Sequence, residues 1–248
     1  MEQDGIAGLG TILGVWAHPD DEAYLSGGLM AAAVAAGQRV VCVTATRGEA
    51  GFPDLERPEA ERRALREREL AACLDLLGVT EHHWLDERDG ACHEVDPARP
   101  VARLVELIGS VRPDTVLTFG PDGMTAHLDH IAVGHWTTLA ALEAGLDPAR
   151  LWYATKTAEW NERFLALMGA TVSDVMMDDA AELPATDRAD LVWYERLDDE
   201  LAERKTRALR CQASQIEPLV AHVGEEPFVD LTREEFFRAA PLPLPAVL

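Results

Sequence analysis

Several things are scarce in this chain, and each scarcity narrows what it does. Its four cysteines, Cys42, Cys73, Cys92 and Cys211, are far apart and form no C-x-x-C, which argues against a disulfide framework or a zinc ribbon. Cys42 in VVCVTA and Cys73 in AACLDLL sit in apolar patterns and are expected in the core. Basic side chains are few: 22 Lys and Arg face 44 Asp and Glu, a formal net charge of −22. That balance argues against a nucleic-acid-binding surface and against attachment to anionic lipid. No apolar run reaches the roughly 18 residues of a membrane span. The start, MEQDGIAGLG, lacks a basic region and an apolar h-region, so no signal peptide is expected and the chain is read as soluble and cytoplasmic. G-x-G-x-x-G and Walker patterns are missing too. Gly27-Gly28 is read instead as allowing close backbone approach beneath a site.

What is present is a regular alternation. TILGVWA (11–17), RVVCVTAT (39–46), HHWLD (82–86), DTVLTFG (114–120) and RLWYAT (150–155) read as strands. Helical patterns fall between them at 26–38, 57–78, 97–113 and 127–145, with Pro58 and Gly78 marking the ends of the second. This order predicts an α/β, Rossmann-like fold: a mostly parallel sheet with helices on both faces, and a site at the carboxyl ends of its strands. Beyond about 156 the pattern weakens to a short helix near 159–168, a strand at 190–197, a helix from Asp198 to about Gln215, and an extended PLPLPAVL. No repeat or polar linker divides the 248 residues. They are read as one domain with a core over about 11–155 and a remainder, about 156–248, that completes the substrate pocket.

Two clusters stand at predicted strand ends. WAHPDDE (16–22) places His18, Asp20, Asp21 and Glu22 directly after the first strand. One carboxylate there could cap a helix, but capping does not account for a His and two adjacent Asp. A divalent cation does, since imidazole and carboxylate both bind zinc and a cation stabilises ionised neighbours. The second cluster, HLDH, holds His127, Asp129 and His130 where a later helix begins. Its histidines are three apart and share a face, and Asp129 can brace an imidazole or cap the helix. His18, Asp21 and one of His127 or His130 would make an open, three-ligand site, leaving Asp20 and the other histidine for chemistry.

With A-H-P-D-D-E after the first strand, T-R-G-E-A-G (46–51) after the second and H-x-D-H after a later one, the chain resembles the PIG-L/LmbE-like zinc-dependent N-acetylglucosaminyl deacetylases over about residues 11–136, with an echo in KTRALRCQASQI (205–216). The resemblance implies His18, Asp21 and His130 as metal ligands, Asp20 as general base and His127 as oxyanion stabiliser or acid. It matches Arg66 to an arginine that holds substrate hydroxyls and Asp89, in DERDG, to an aspartate used for the sugar. It implies hydrolysis of an N-acetyl amide on a small sugar conjugate with Zn²⁺, and Irving–Williams ordering leaves Fe²⁺ or Co²⁺ open at such a site. Two departures stand out. Relatives carry A-H-x-S-Q or A-H-x-T-Q where this chain has Cys211-Gln212-Ala213-Ser214-Gln215, and the stretch FPDLERPEAE is rich in Pro and Glu.

The remaining candidates take bland readings. His82 and His83 precede Trp84 on a strand, His135 lies off the ligand face, and His93 and His222 sit in loop-like context without a partner pattern. Met176-Met177 and the Trp residues at 136, 152, 160 and 193 are read as core or pocket wall. Two competing functions remain: an amidase on the same scaffold that cleaves a larger acyl group, and a non-catalytic sugar- or nucleotide-binding module. Asp20 beside a full ligand set speaks against the module, since binding alone needs no base. The sequence identifies neither the aglycone nor the oligomeric state, and a homo-oligomer stays open.

Overall fold

The computed structural model describes residues 5–52, 56–169 and 183–241. Five apolar runs form β1 (Ile12–Trp16), β2 (Val40–Thr44), β3 (Glu81–Trp84), β4 (Thr115–Phe119) and β5 (Leu151–Ala154). All but β3 are buried at every position, as strands covered on both faces must be, and this is why they read as continuous apolar stretches. Between them lie α1 (Asp21–Ala35), α2 (Glu59–Leu77), α3 (Ala98–Val111) and α4 (Leu128–Glu143). The C-terminal part adds α5 (Ala158–Met168), β6 (Leu191–Arg196), α6 (Asp199–Arg210), α7 (Ala213–Val223), α8 (Glu225–Thr232) and β7 (Glu234–Ala239).

The sheet order is β3-β2-β1-β4-β5-β7-β6. The first five strands are parallel, with β1 hydrogen-bonded to β2 on one side and β4 on the other. The winding therefore reverses between β1 and β4, and a crevice opens above their carboxyl ends, the usual ligand position in this architecture. α1 and α2 pack with α6, and α3 packs with α4. At Gly134 an added Cβ would lie 2.5 Å from the Phe119 carbonyl oxygen, so the absent side chain lets α4 sit close over the end of β4.

Four sequence expectations change. The first helix starts at Asp21 rather than at 26, so Asp21 and Glu22 form its first turn, where carboxylates meet the helix dipole favourably. The helix expected over 198–215 breaks at Cys211 and Gln212, and α7 continues through Pro218. α8 and β7 carry no expected counterpart, and β7 runs antiparallel to β5 and β6. Gly27 and Gly28 face Lys205 and Leu197, not the metal cluster. There the Glu235 carboxylate accepts from the Gly28 and Leu29 amides at 2.7 and 2.8 Å. Lys205 Nζ closes the group, donating to Glu235 at 2.7 Å and to the Tyr24 carbonyl at 2.9 Å. Cys42 and Cys73 are buried, as are Trp136, Trp152 and Trp193. Met176-Met177 and nearly all of PLPLPAVL lie outside the described residues.

Candidate metal centre and cleft

The turn between β1 and α1 is held in a conformation that costs energy. Asp20 has φ 101°, a region that non-glycine residues rarely occupy and that persists only when surroundings enforce it. Three contacts do so. The Asp20 amide donates to Glu22 Oε2 at 3.0 Å, and Arg66 Nη2, from α2, donates both to Asp20 Oδ2 at 3.1 Å and to the Pro19 carbonyl. The His18 amide donates to Asp21 Oδ2 at 2.8 Å. Glu22 points inward to Gln212 Nε2 at 2.7 Å and Cys73 Sγ at 3.5 Å. Burial first, then the Asp20 charge, pushes its carboxyl up to about 8.

The turn between β4 and α4 is built alike. Gly123, Met124 and Ala126 all have φ near +60°, and the chain enters α4 with His127 as its cap, Nδ1 accepting the Asp129 amide at 3.1 Å. His130 stacks on Phe119 at 4.1 Å between ring centroids. Its Nδ1 lies 3.1 Å from the Gly123 carbonyl, so that nitrogen carries the ring proton and Nε2 is left as an acceptor.

The turns meet at the switch point. His130 Nε2 lies 3.3 Å from His18 Nδ1 and 3.4 Å from Asp21 Oδ1, and His18 Nδ1 lies 3.6 Å from Asp21 Oδ2. On its far side, His18 Nε2 faces Asp89 Oδ1 at 3.1 Å and Asp129 Oδ2 at 3.2 Å. That assigns the His18 proton to Nε2. With His18 in its neutral form, its Nδ1, His130 Nε2 and the Asp21 carboxylate converge as acceptors, an arrangement that a cation satisfies by taking the place of a second His18 proton. The 3.3 Å between the two nitrogens and the 3.4 Å from His130 Nε2 to Asp21 Oδ1 match the roughly 3.3–3.4 Å edge of a tetrahedron with metal–ligand bonds of about 2.0–2.1 Å, while the 3.6 Å contact of His18 runs to the other carboxylate oxygen. A second grouping, His18 with His127 and Asp129, fits less well. The Asp129 oxygens are already taken by the Gly90 and Cys92 amides at 2.7 and 2.9 Å, and His127 Nδ1 is capping α4.

The electrostatics follow the geometry. Burial opposes charge on His18, but its hydrogen bonds to the Asp129, Asp21 and Asp89 carboxylates outweigh it and raise its pKa well above 6.5; a bound cation would meet the same field. Burial also works against the Asp21 carboxylate, yet His130 and His18 hold it far below the usual range. Asp20 is lifted to about 7, chiefly by burial, with Arg66 pulling the other way. His130 falls to about 4 through burial, and His127 is lowered by burial and the His18 charge.

Of the residues singled out from sequence, His18, Asp20, Asp21, Arg66, Asp89, His127 and His130 line one cavity of about 810 Å³, with Asp129 fully buried behind it. Asp89 has both oxygens engaged, whereas Arg66 uses Nη2 alone and keeps a buried Nε with no hydrogen-bond partner among the described residues. Arg66, 2% exposed, serves Asp20 and Pro19; Asp89 meets His18 and accepts the Ala50 amide at 2.6 Å. Gln212 is turned away from the cavity toward Glu22, and Gln215 lines the cavity instead. Individual residues of the wall built by the C-terminal part escaped the sequence reading, which had expected that part to complete the pocket. Lys156, Asn161 and His222 line it, and His222 lies on α7 rather than in a loop. An apolar strand end followed by a lone Lys was the only signal for Lys156. His93 also stands nearer the centre than expected, Nδ1 4.0 Å from Asp129 Oδ1.

A doubly wound sheet with a His/His/Asp cluster and a further aspartate at its switch point defines a class, α/β proteins with a candidate metal centre in a cleft at the strand ends. Residues 13–141, over half of the chain, match the family model of the GlcNAc-PI de-N-acetylases (PIG-L), and the chain belongs to this family. It is accordingly a deacetylase, a hydrolase of amides. A 1D-myo-inositol 2-acetamido-2-deoxy-alpha-D-glucopyranoside deacetylase of Corynebacterium glutamicum is 32% identical over 228 residues, 83% of this chain and 74% of that protein. A protein of the same description from Kineococcus radiotolerans is 34% identical over 168 residues, 56% of this chain. The chain spans only 46% of that relative's length. Among solved structures, an N,N'-diacetylchitobiose deacetylase from Pyrococcus horikoshii superposes with TM-score 0.65 at 22% identity, covering 98% of this chain and 90% of its own. At that identity the likeness shows the fold.

Proposed function

We propose that this chain removes the N-acetyl group from an N-acetylglucosaminyl conjugate, releasing acetate and a free amine, with Zn²⁺ held by His18, Asp21 and His130. The observation that carries this reading is the convergence of three acceptor atoms beside Asp20, a carboxylate in a strained turn that ligates nothing. When bound, such a cation lowers the pKa of a water molecule and polarises a carbonyl; Fe²⁺ or Co²⁺ would suit the same donors.

The chain's own residues do the rest. Asp20 takes the proton of the attacking water as its oxygen bonds to the acetyl carbon. Arg66 keeps the Asp20 carboxylate aimed and favours its ionised form against the pull of burial. Because His127 Nδ1 accepts the Asp129 amide, its ring proton sits on Nε2, which donates to the carbonyl oxygen as negative charge develops there. The C–N bond then breaks, Asp20 returns its proton to nitrogen, and acetate and amine leave. Asp129 and Asp89 fix the ring of His18 through Nε2. Arg66 and Asp89 thus act first as positioning residues, and the sugar hydroxyls meet whatever donor or acceptor capacity remains. The four free cysteines accord with a reducing compartment such as the cytoplasm.

An amidase acting on a larger acyl group is the second reading, favoured by the apolar far wall of Phe164, Leu219 and Leu231. The test is incubation of the zinc-loaded protein with N-acetylglucosaminyl-inositol and with longer N-acyl analogues, reading free amine and released acid. Acetate release above that from every longer acyl group is expected. Preference for a long acyl group would move the assignment to the amidase, and no amine from any of them would end both readings.

A further inference from the structure

Both lysines of this acidic chain are buried: Lys205 is 1% exposed and Lys156 is 6% exposed. Their surroundings differ. Lys205 Nζ donates to a carboxylate and a carbonyl. Lys156 follows β5 at the same carboxyl edge of the sheet as the metal cluster, and it lines the cavity. Its Nζ lies 4.4 Å from the Trp160 ring centroid and 5.2 Å from that of Phe236. Among the described residues it has neither a hydrogen-bond acceptor nor an ion-pair partner. Aromatic faces attract a cation but offer no lone pair to its three N–H groups, so a buried ammonium held only by rings lacks most of its solvation.

The cavity wall around Lys156 is apolar. Trp160, Phe164, Met168, Leu183 and Leu231 contribute, with Asn161, His222 and Thr232 as polar members of the lining. The same cavity holds the metal cluster. A ligand that fills it with its acetyl group at the cluster would lay an apolar body against these rings, with one site of positive charge waiting.

We infer that Lys156 is an anion-recognition site for the aglycone: the substrate carries a carboxylate or phosphate group on an apolar body, and that group pairs with Lys156 Nζ. This rests on the deacetylase reading for the direction of the substrate only. Supporting the geometry, burial first and then the Lys205 charge bring Lys156 down to about 7. Glu235 and Glu234 oppose that shift and Arg163 adds to it. An anion arriving there would restore the charged form, and the preference for anions should fade as pH rises above 7.

The test uses three phenyl β-N-acetylglucosaminides bearing a para carboxylate, phosphate or neutral carboxamide, titrated calorimetrically into zinc-loaded wild type, Lys156→Met and Lys156→Arg. A charge-assisted hydrogen bond predicts that at least one anionic ligand binds wild type about tenfold or more tighter than the carboxamide. The better of the two anions identifies the group. Lys156→Met should erase the preference and Lys156→Arg should keep most of it. Equal binding of all three ligands by wild type, binding of none, or a preference that survives in Lys156→Met would overturn the inference. Amine release from the same ligands is read separately. Intact anion preference without any release would remove the deacetylase reading and leave the Lys156 site standing.

Discussion

Two buried groups of charges in this molecule are built from similar parts and reach opposite states. Around Glu235, each carboxylate oxygen and the Lys205 ammonium find partners within the protein. The group is closed, and it ties β7 and α6 to the middle of α1. Around His18, the far sides of the rings are satisfied by Asp89, Asp129 and the Gly123 carbonyl, while the near sides present acceptors to one another. That group is open. A closed group adds rigidity and leaves nothing for a ligand to do. An open one retains binding capacity that a cation fulfils, and its cost is borne by a fold that already forces Asp20 to φ 101°.

The comparison can be broken at its strongest point by removing a ligand from the open group. His18→Ala or His130→Ala should abolish zinc stoichiometry, measured on the dialysed protein by elemental analysis, with turnover lost completely. Full stoichiometry in either variant would show that the open group is not the metal site. Asp20→Asn keeps the ligands and removes the base, so zinc should remain while kcat falls by about 10²–10⁴-fold, the usual worth of a positioned general base. A near-normal rate would put the base elsewhere.

The closed group fails differently. Lys205→Met leaves the Glu235 carboxylate buried without its counter-charge and should cost about 3–5 kcal/mol of stability in urea unfolding, with per-site zinc affinity of the folded fraction little changed. Equal midpoints for mutant and wild type would mean the pair is not stabilising. The smallest effect belongs to the frame of the open group. Asp129→Asn preserves shape but weakens the hold on His18 Nε2, lowering zinc affinity by about 10–100-fold in competition with a chelator. An unchanged affinity there would place Asp89 as the sole orienting partner.

Much of the architecture was legible in the chain because β1, β2, β4 and β5 are buried on both faces and so must be apolar at each position. The antiparallel β7 was not. Its sequence, Glu234-Glu235-Phe236-Phe237-Arg238-Ala239, carries two buried glutamates, and only Lys205, 30 residues earlier, together with the α1 amides makes the second tolerable. Gln212 was legible as a departure from its relatives, but its direction was not, because it depends on Glu22, 190 residues away. Likewise, Arg66 could be singled out by the family resemblance, while its bond to Asp20 arises where α2 crosses the first turn.

By itself the sequence determined the parallel five-strand core and the two turns of metal-binding chemistry, since those depend on local runs of apolar residues and on which side chains follow each strand. Tertiary structure decided the rest: which nitrogen of His18 faces the cluster, that Asp89 and Asp129 together brace it, and that Lys156 borders the same cavity without an acceptor among the described residues. Those facts are distances between residues far apart in the chain, and a distance across a folded sheet comes from packing, which no local pattern encodes.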